Sequence, residues 1–194
     1  MSCRSGAKEE KSSKSRKQES TDTEVKPTAF LDKNNGEEYN ASGVIPLGDS
    51  RFLFCDNNLN DALMELVVSK DGQQQGPLVR RPLVGLGKKH IDDMEELTIA
   101  EQGGRRLVFA VTSLSVKAGS KKKGKEDEVR PGGLLRIAIQ PDGFLATELM
   151  SDFRAWLLKN APEIALSAEN DPDLGGLNIE GLAWDARRGA LLLG

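Results

Sequence analysis

Short apolar runs alternate with turn residues along the chain from residue 41 onward. Each turn segment contains Gly, Asp or Pro, which tolerate or pre-set turn dihedrals, and strands joined by tight turns pair antiparallel. The paired runs are SGVIPL with RFLFCD, ALMELVVS with PLVRRPLVGL, MEELTIA with LVFAVTSL, LLRIAIQ with FLATELM, and IEGLAWD with ALLLG. The pattern therefore predicts an all-β fold built from antiparallel hairpins.

One stretch has the periodicity of a helix instead. In SDFRAWLLKNAP, Phe153, Trp156 and Leu157 recur at the spacing of a single helix face. Pro162 ends the segment, because proline has no N–H to continue the helical hydrogen bonds. An α/β fold would need helices of about 10–15 residues between the strands. We therefore predict one short helix, with its aromatic stripe packed on the sheet.

The first 40 residues differ in composition from the rest of the chain. Residues 1–27 are mostly Lys, Glu, Ser and Thr and contain almost no large apolar side chain. Such a segment cannot bury enough surface to offset the entropy lost on ordering. We predict a disordered polar tail and lead-in over residues 1–40, followed by one folded unit over residues 41–194.

Charge and hydropathy argue against several classes of partner. The 194 residues carry a net charge of −3, which gives no global attraction to nucleic acid or to an anionic membrane. No apolar run approaches the ~20 residues of a transmembrane helix, and the N-terminus lacks the apolar core of a secretory signal. We expect a cytoplasmic protein without nucleic-acid or membrane partners. With only Cys3 and Cys55 in the chain, we expect reduced thiols, with Cys55 as a small core residue.

Three segments of the chain share one pattern, in which a short polar-then-apolar strand, a glycine-containing turn and a second apolar strand follow one another. The segments are ASGVIPLGDSRFLFCDN, MEELTIAEQGGRRLVFAVTS and IEGLAWDARRGALLLG. Ser42, Glu95 and Glu180 take the same position in each, at spacings of 95 − 42 = 53 and 180 − 95 = 85 residues. A propeller blade takes about 40–50 residues. The first spacing fits one blade and the second fits one blade with insertions, so we predict about three blades of an incomplete β-propeller.

The same segments resemble a known family. The matching residues are SGV with FLFCDN, IDDMEELTI with LVFAVTSLS and GGLLRIAI, and GGLNIEGLAWD with ALLLG. They resemble the bacterial proteins grouped as domain of unknown function 3616. The resemblance covers residues 41–194 and implies a six-bladed propeller-like fold, of which this chain would be the N-terminal portion, truncated before ring closure. It implies no established activity. Members tend to have Ser-His-Ser where this chain has Thr112, Ser113 and Leu114. Because an incomplete ring leaves unpaired strand edges, we expect the chain alone to self-associate.

The first strand of each predicted blade is where ligand chemistry is expected. The innermost strands of a propeller line its central channel, so the carboxylates of Glu95 and Glu180 are expected to converge there. Carboxylate oxygens suit a hard cation such as Ca²⁺, and the Glu-Gly step at Glu180 resembles the metal-ligand step of calcium-dependent lactonase-type propellers. In a structural alternative, each Glu accepts hydrogen bonds from the neighbouring blade and holds the blades in register. Glu95 and Glu180 are thus the candidate metal ligands, and the sequence identifies no catalytic residue.

Other polar residues give weaker signals. Asp92, Asp93 and Glu96 add negative charge beside Glu95, which is equally typical of a solvated turn. Residues 56–58, Asp-Asn-Asn, suit an Asx-type turn after the RFLFC strand.

Three further motifs are interpreted as loops. The acidic residues Asp171 and Asp173 in ENDPDLGG lack the spacing and the closing Glu of an EF-hand. His90 is the only histidine and is expected on a surface loop. The run GSKKKGK at residues 119–125 is followed by Glu126 instead of Ser or Thr, and no helix follows, so it does not qualify as a phosphate-binding loop.

Two functions from different classes remain open, and whether the chain is an enzyme stays undecided. The first is a binding or interaction module for a protein or a small molecule. The second is a divalent-metal-dependent hydrolase of phytase or lactonase type, with a carboxylate-lined central channel that holds Glu95 and Glu180 and takes Ca²⁺ as its expected metal.

Overall fold

A computed structural model describes residues 28–32, 36, 38–87, 91–117 and 128–194. The strands are β1 (Ala41–Gly48), β2 (Arg51–Asp56), β3 (Ala62–Val67), β4 (Val79–Val84), β5 (Met94–Gln102), β6 (Arg105–Thr112), β7 (Val116–Lys117), β8 (Glu128–Val129), β9 (Leu134–Ile139), β10 (Leu145–Met150), β11 (Leu182–Asp185) and β12 (Ala190–Leu193). The helices are α1 (Phe153–Asn160) and α2 (Pro162–Ala165), and a 3-10 turn spans Pro172–Leu174. The all-β class is confirmed. The predicted disordered tail at 1–27, His90 and the lysine run at 119–125 lie outside the described residues.

The five predicted hairpins are all present as antiparallel pairs: β1–β2, β3–β4, β5–β6, β9–β10 and β11–β12. Two of the turns have left-handed residues at both central positions. Asp49 and Ser50 have φ of 52° and 60°, and Gly103 and Gly104 have φ of 58° and 73°. Two-residue turns of this kind match the right-handed twist of the strands that they join.

Eight strands form one large sheet in the order β1-β2-β3-β4-β10-β9-β6-β5. It consists of two four-stranded meanders. We call β1–β4 the first meander and β5, β6, β9 and β10 the second meander. They are joined by a short parallel contact between β4 and β10, in which Leu83 lies opposite Leu145 and Val84 opposite Ala146.

The other edge of the sheet nearly closes, because β1 lies beside β5. A Cβ atom on Gly43 of β1 would fall 2.2 Å from Glu96 Oε1 and 2.5 Å from the backbone nitrogen of Leu97, so only glycine fits there. Arg106 also donates to β1, from Nη2 to the carbonyl of Pro46 at 2.6 Å. The sheet therefore curls into a barrel-like body.

Apolar side chains fill the space between the two meanders. This core consists of Ile45, Leu53, Cys55, Leu63, Leu83, Leu86, Ile91, Met94, Leu97, Val108, Ala110, Leu135, Ile137 and Leu145. The Cys55 thiol is free and buried, and burial raises its pKa to about 12. The prediction that Cys55 is a small core residue is confirmed.

A second core covers the opposite face of the second meander. It is formed where β11, β12 and α1 pack on that face and consists of Val111, Leu114, Phe153, Leu157, Ala168, Leu177, Ile179 and Leu182. Two hydrogen bonds hold this layer in place: Ile179 N donates to the Ser113 carbonyl at 2.8 Å, and Trp184 N donates to Thr98 Oγ1 at 3.2 Å. Three layers of strands are therefore stacked face to face.

The predicted helix is confirmed as α1, although its aromatic stripe is only partly buried. Phe153 and Leu157 are buried, whereas Trp156 is 49% exposed and stacks on Phe153 with ring centroids 5.8 Å apart. Pro162 ends α1 as predicted, but it then begins the short helix α2. No helix in the described ranges has the length and apolar character needed to cross a bilayer.

Part of the lead-in packs onto the first meander. The ring of Phe30 stacks on Phe54 of β2 at a centroid distance of 5.2 Å, and Tyr39 meets Phe54 edge-on at 6.1 Å. The Leu31 N–H donates to Gln74 Oε1 at 2.9 Å. The segment just before β1 is therefore tied to the folded body by aromatic packing.

Candidate functional site

Glu95 lies where the first and second meanders meet, near the start of β5. Its Oε2 is 3.2 Å from Ser42 Oγ, and Asn57 Nδ2 lies 3.3 Å from both carboxylate oxygens. Ser42 Oγ is also 2.5 Å from Asn57 Oδ1, and its single proton serves one of these two acceptors. Two of the three positions that the repeat relates, Ser42 and Glu95, are thus in contact.

Irregular strand pairing near the starts of β1 and β5 orients the side chains of Ser42 and Glu95. The register between β5 and β6 shifts between Met94 and Glu96, and the register between β1 and β2 shifts between Ala41 and Val44. Bulges redirect side chains and interrupt the regular pairing of the strands. Both bulges fall at the polar positions, so the backbone itself turns Ser42 and Glu95 toward each other.

The Glu95 carboxyl sits in a partly desolvated and negatively charged setting. The residue is 8% exposed. Burial raises its pKa most, and the charges of Asp93 and Glu180 raise it further, to about 7. The hydrogen bonds from Ser42 and Asn57 act in the opposite direction. Glu95 therefore exchanges its proton near neutral pH.

The neighbouring acidic residues Asp92 and Asp93 face an arginine. Arg130 Nη1 donates to Asp92 Oδ2 at 3.2 Å. Arg130 Nε lies 3.2 Å from Asp93 Oδ2, an ion-pair distance at which the N–H does not point at the oxygen. We regard this second contact as electrostatic only. Arg130 is thus the cationic partner of both carboxylates, while the charge of Asp93 still raises the pKa of Glu95.

Glu180 acts on Glu95 through its charge. Its carboxylate accepts a hydrogen bond from Asn178 Nδ2, and its backbone N–H donates to the Gly194 carbonyl at 2.9 Å. The side chain is exposed. Of the three side chains predicted to converge, Ser42 thus contacts Glu95, and Glu180 interacts with Glu95 through its charge.

The donor atoms around Glu95 determine whether a metal ion fits there. Within the described ranges, no three His, Cys, Asp or Glu side chains form a group able to hold a metal ion. The oxygens of Ser42, Asn57, Glu95 and Glu180 are of the kind that Ca²⁺ prefers, but they are fewer than the roughly six to eight ligands that it takes. The assignment of Glu95 and Glu180 as metal ligands stays a prediction.

Two polar motifs have the local roles predicted for them. Asp56 accepts hydrogen bonds from the backbone N–H groups of Asn40 at 2.7 Å and Asn58 at 2.8 Å, which forms the expected Asx turn. Asp171 Oδ1 accepts from the N–H of Asp173 at 2.9 Å and caps the 3-10 turn. Both motifs are structural.

A buried carboxylate that the sequence did not indicate lies in the first meander. Glu65 of β3 is buried and forms ion pairs with Arg51 at 2.9 Å and with Arg81 at 2.6 Å. Both carboxylate oxygens are therefore occupied. This arrangement ties three strands together and pairs the buried charge of Glu65 with two arginines.

An apolar groove lies between β12, α1 and the adjacent face of the second meander. It encloses about 370 Å³ and is lined by Ala100, Leu107, Phe109, Leu134, Phe153, Trp156, Trp184, Gly189, Leu191 and Leu193. Both tryptophans of the chain are among these residues. The Trp184 Nε1 atom is buried and has no hydrogen-bond partner among the described residues. The sequence does not indicate this groove, because the helical spacing of Trp156 predicts a core position and no local pattern connects it with Trp184.

Comparisons with protein-family models, with curated proteins and with solved structures found no match to this chain. The resemblance to domain of unknown function 3616 is therefore a prediction from the sequence alone. Functional assignment depends on the geometry of the groove and of the Glu95 cluster.

Proposed function

We propose that this chain is a binding module and that the apolar groove is its ligand site. Ligand pockets are typically concave, about 300–1,000 Å³ in volume and mostly apolar, with a few polar groups that fix orientation. The groove has this size and lining. The observation that carries the proposal is a cavity of ligand size walled by four aromatic side chains, those of Phe109, Phe153, Trp156 and Trp184.

The chemistry of the lining indicates the class of ligand. The ten lining residues are all Ala, Leu, Phe, Trp or Gly, and none of them carries a titratable side chain. Such a surface favours an apolar ligand and offers no group for acid–base or nucleophilic chemistry. The Trp184 indole Nε1–H is buried and has no acceptor among the described residues, so a ligand whose carbonyl or ether oxygen reaches it gains specificity as well as apolar contact.

The architecture we propose for this module is propeller-like. Each meander has four strands, the number in a propeller blade, and the meanders follow one another along the chain. The first strands of the successive layers are neighbours, since β1 lies beside β5 and β5 beside β11. On this proposal the Glu95 cluster lies near the shared axis, and the groove lies between the second blade and a third that begins with β11.

The groove proposal is tested with an apolar fluorescent dye, 8-anilinonaphthalene-1-sulfonate, added to the full chain. Because both tryptophans line the groove, a dye bound there quenches tryptophan emission and gains emission by energy transfer. We expect saturable binding that weakens about tenfold in Trp156→Ala, which removes one wall. Since Trp156 is half exposed, the variant should keep its fold.

Phe144→Ala is the matched control for this test. Phe144 is also an exposed aromatic residue, at 55% exposure, but it is not part of the groove. Its replacement should leave the dye affinity unchanged. Equal loss of binding in both variants, or no saturable binding by the parent chain, would contradict the groove as the ligand site.

A second candidate function is favoured by one observation at the Glu95 cluster. A carboxyl with a pKa of about 7 is well matched to proton transfer at neutral pH. This supports the hydrolase of phytase or lactonase type as the alternative. Phosphate esters and lactones are assayed with and without Ca²⁺, and Ca²⁺ binding is measured by isothermal titration. Turnover that disappears in Glu95→Gln and Ca²⁺ heat that disappears in Glu180→Gln would favour this function over the binding module.

A further inference from the structure

We propose that Ser42 is the nucleophile and Glu95 the general base of a site that hydrolyses carboxylic esters, with Asn57 as the residue that positions Glu95. Ser42 Oγ lies 3.2 Å from Glu95 Oε2, within hydrogen-bond reach. A nucleophile, a base beside it and a third group that orients the base are the recurring parts of catalysis by side-chain hydroxyl groups. None of these residues lines the apolar groove, so this site is separate from the proposed binding function.

The Ser42 hydroxyl faces solvent, although the carboxylate behind it is buried. Ser42 is exposed, whereas Glu95 is buried. The irregular pairing of β1 falls between Ala41 and Val44 and so includes Ser42. Bulges of this kind are frequent next to active sites, where they re-aim a side chain. A substrate therefore has access to Ser42 from the solvent side while Glu95 contacts the hydroxyl from within the protein.

Asn57 contacts both members of this pair. Its Nδ2 atom lies 3.3 Å from each carboxylate oxygen of Glu95, and its Oδ1 atom lies 2.5 Å from Ser42 Oγ. Asp56 accepts a hydrogen bond from the Asn58 N–H at 2.8 Å, which fixes the turn that carries Asn57. Because a hydroxyl group rotates, the Ser42 proton can turn from Asn57 to Glu95 when the reaction begins.

The reaction has two steps, and Glu95 moves the proton in both. Ser42 Oγ attacks the carbonyl carbon of the ester while the Glu95 carboxylate takes the hydroxyl proton. The bond to the alcohol oxygen breaks and Glu95 gives the proton to that oxygen, which leaves an acyl group on Ser42. Water then attacks the acyl carbon, Glu95 accepts a proton from the water, and its transfer to Ser42 Oγ releases the carboxylic acid.

The charges near Ser42 determine the class of ester. Asp93 and Glu180 act electrostatically on Glu95, and the Glu180 side chain is exposed. A negative group on the substrate would be repelled by these carboxylates. The site is therefore suited to esters that are uncharged or cationic near the reacting carbonyl group.

A second serine provides an internal control. Within the described residues, Ser69 is the other serine whose hydroxyl bonds to a carboxylate, that of Asp71. Asp71 is exposed, and hydration favours the charged form of a carboxylate and makes it a weaker base than a buried one. Ser69 thus has the same pair of groups without the burial that strengthens Glu95 as a base.

The test uses the full chain and an uncharged fluorophosphonate, a reagent that phosphonylates activated serine hydroxyls and releases fluoride. Mass spectrometry after proteolysis identifies the labelled residue. We expect label on Ser42 and none on Ser69. Equal labelling of the two serines would indicate general surface reactivity, and this result or the absence of label on Ser42 would overturn the proposal.

Two variants separate the nucleophile from the base. Ser42→Ala should abolish the labelling, whereas Ser69→Ala should leave it unchanged. Glu95→Gln keeps the size of the side chain and removes the base, so labelling of Ser42 should slow by about a hundredfold or more. Circular dichroism shows whether each variant is folded. Labelling of a folded Glu95→Gln at the parent rate would reject Glu95 as the base.

Asn57→Ala tests the positioning role. Because Asn57 acts through Glu95, the labelling rate at saturating reagent should fall roughly tenfold to a hundredfold. The reagent concentration that gives half the maximal rate should stay the same. A changed half-saturating concentration with an unchanged maximal rate would contradict positioning.

Two esters of one phenol test the substrate class. p-Nitrophenyl acetate is uncharged, and the succinate monoester of p-nitrophenol carries a carboxylate. Above the rate of Ser42→Ala, the acetate should react faster than the succinate, and added salt should reduce the difference because it screens the charges. Equal rates for the two esters would contradict the proposed class of substrate.

Calcium chelation separates this site from the alternative hydrolase. Labelling and ester turnover that persist with a chelator and disappear in Ser42→Ala support the serine mechanism. Turnover that requires Ca²⁺ and continues in Ser42→Ala would support the metal-dependent hydrolase and overturn the serine mechanism. Dye binding in the groove is measured separately, so failure at Ser42 leaves the binding function standing, and failure of the dye leaves the Ser42 site standing.

Discussion

Glu95 is a carboxylic acid placed where ionisation is costly. It is almost fully buried, with negative neighbours, and among the described residues it accepts hydrogen bonds from Ser42 and Asn57. A side chain that served the fold alone could be an amide, which makes similar hydrogen bonds without the charge. Keeping an acid at this position is typical of functional sites, where stability is given up for chemistry or binding.

This cost gives a prediction for Glu95→Gln. The folded-state pKa of Glu95 is raised to about 7 from the ordinary value of 4.5. Its contribution to the free energy of unfolding is therefore fully present below about pH 4.5 and is lost as the pH rises through 7. Gln cannot ionise and avoids this loss. After a discount for solvent screening, we expect Glu95→Gln to be about 1–2 kcal/mol more stable than the parent at pH 8, with little difference at pH 4.5.

Urea unfolding at both pH values measures this difference. Glu101→Gln serves as the control, because Glu101 lies on the same strand with an exposed side chain. The control should shift stability equally at both pH values. A Glu95→Gln variant that is less stable than the parent at pH 8 would mean that the ionised carboxylate stabilises the fold.

At the scale of elements, the hairpins could be predicted and the contacts between them could not. The turn residues of each hairpin and the apolar runs beside them are local features, so the sequence predicts all five pairs. The bulge that turns Glu95 toward Ser42 has no local signature. Nor does the close approach at Gly43, because its cause is a strand more than fifty positions away.

The approach of β1 to β5 predicts a large effect for Gly43→Ala. The added methyl group would overlap Glu96 Oε1 and the backbone nitrogen of Leu97, and the backbone cannot move aside without opening the sheet. Overpacking of this kind costs about 1–3 kcal/mol. We expect a loss of stability in that range by urea unfolding. Gly181→Ala is the control, because a Cβ atom added at Gly181 would lie 3.7 Å from the nearest atom. An equal loss of stability in this variant would contradict the role of the clash at Gly43.

At the scale of the whole molecule, the sheets differ in the number of strands that pair within them. The eight-stranded sheet holds most of the core, whereas β11 and β12 form a separate two-stranded sheet. Within the described residues, each strand of this hairpin pairs with one other strand, so fewer backbone hydrogen bonds hold it than hold the inner strands of the eight-stranded sheet. We therefore expect this hairpin to open by itself more often than the barrel-like body does.

Hydrogen exchange with mass spectrometry measures this difference. Peptides from β11 and β12 should exchange faster than peptides from β2 and β6, which have a paired strand on each side. The intrinsic exchange rates of the same peptides, measured after denaturation, provide the reference. Equal protection of the hairpin and the inner strands would mean that the chain unfolds as one cooperative unit.

The closure of the sheet and the groove could not be predicted from the chain alone. Both depend on which faces stack, and β4 meets β10 although a whole meander separates them in the sequence. The two tryptophans of the groove lie on a helix and on a strand with no shared periodicity. The three related positions, Ser42, Glu95 and Glu180, could be anticipated because they recur at strand starts.

The parallel contact between β4 and β10 also bears on how the chain folds. It joins Leu83 to Leu145, which are 145 − 83 = 62 positions apart, and involves only one further residue pair. Contacts between neighbouring strands within a meander close shorter loops. The β4–β10 contact closes a long loop, which costs more chain entropy, and it forms few hydrogen bonds to offset that cost. Each meander should therefore assemble first as its own nucleus, and the joining of the two should be the late, slow step on the way to the native state.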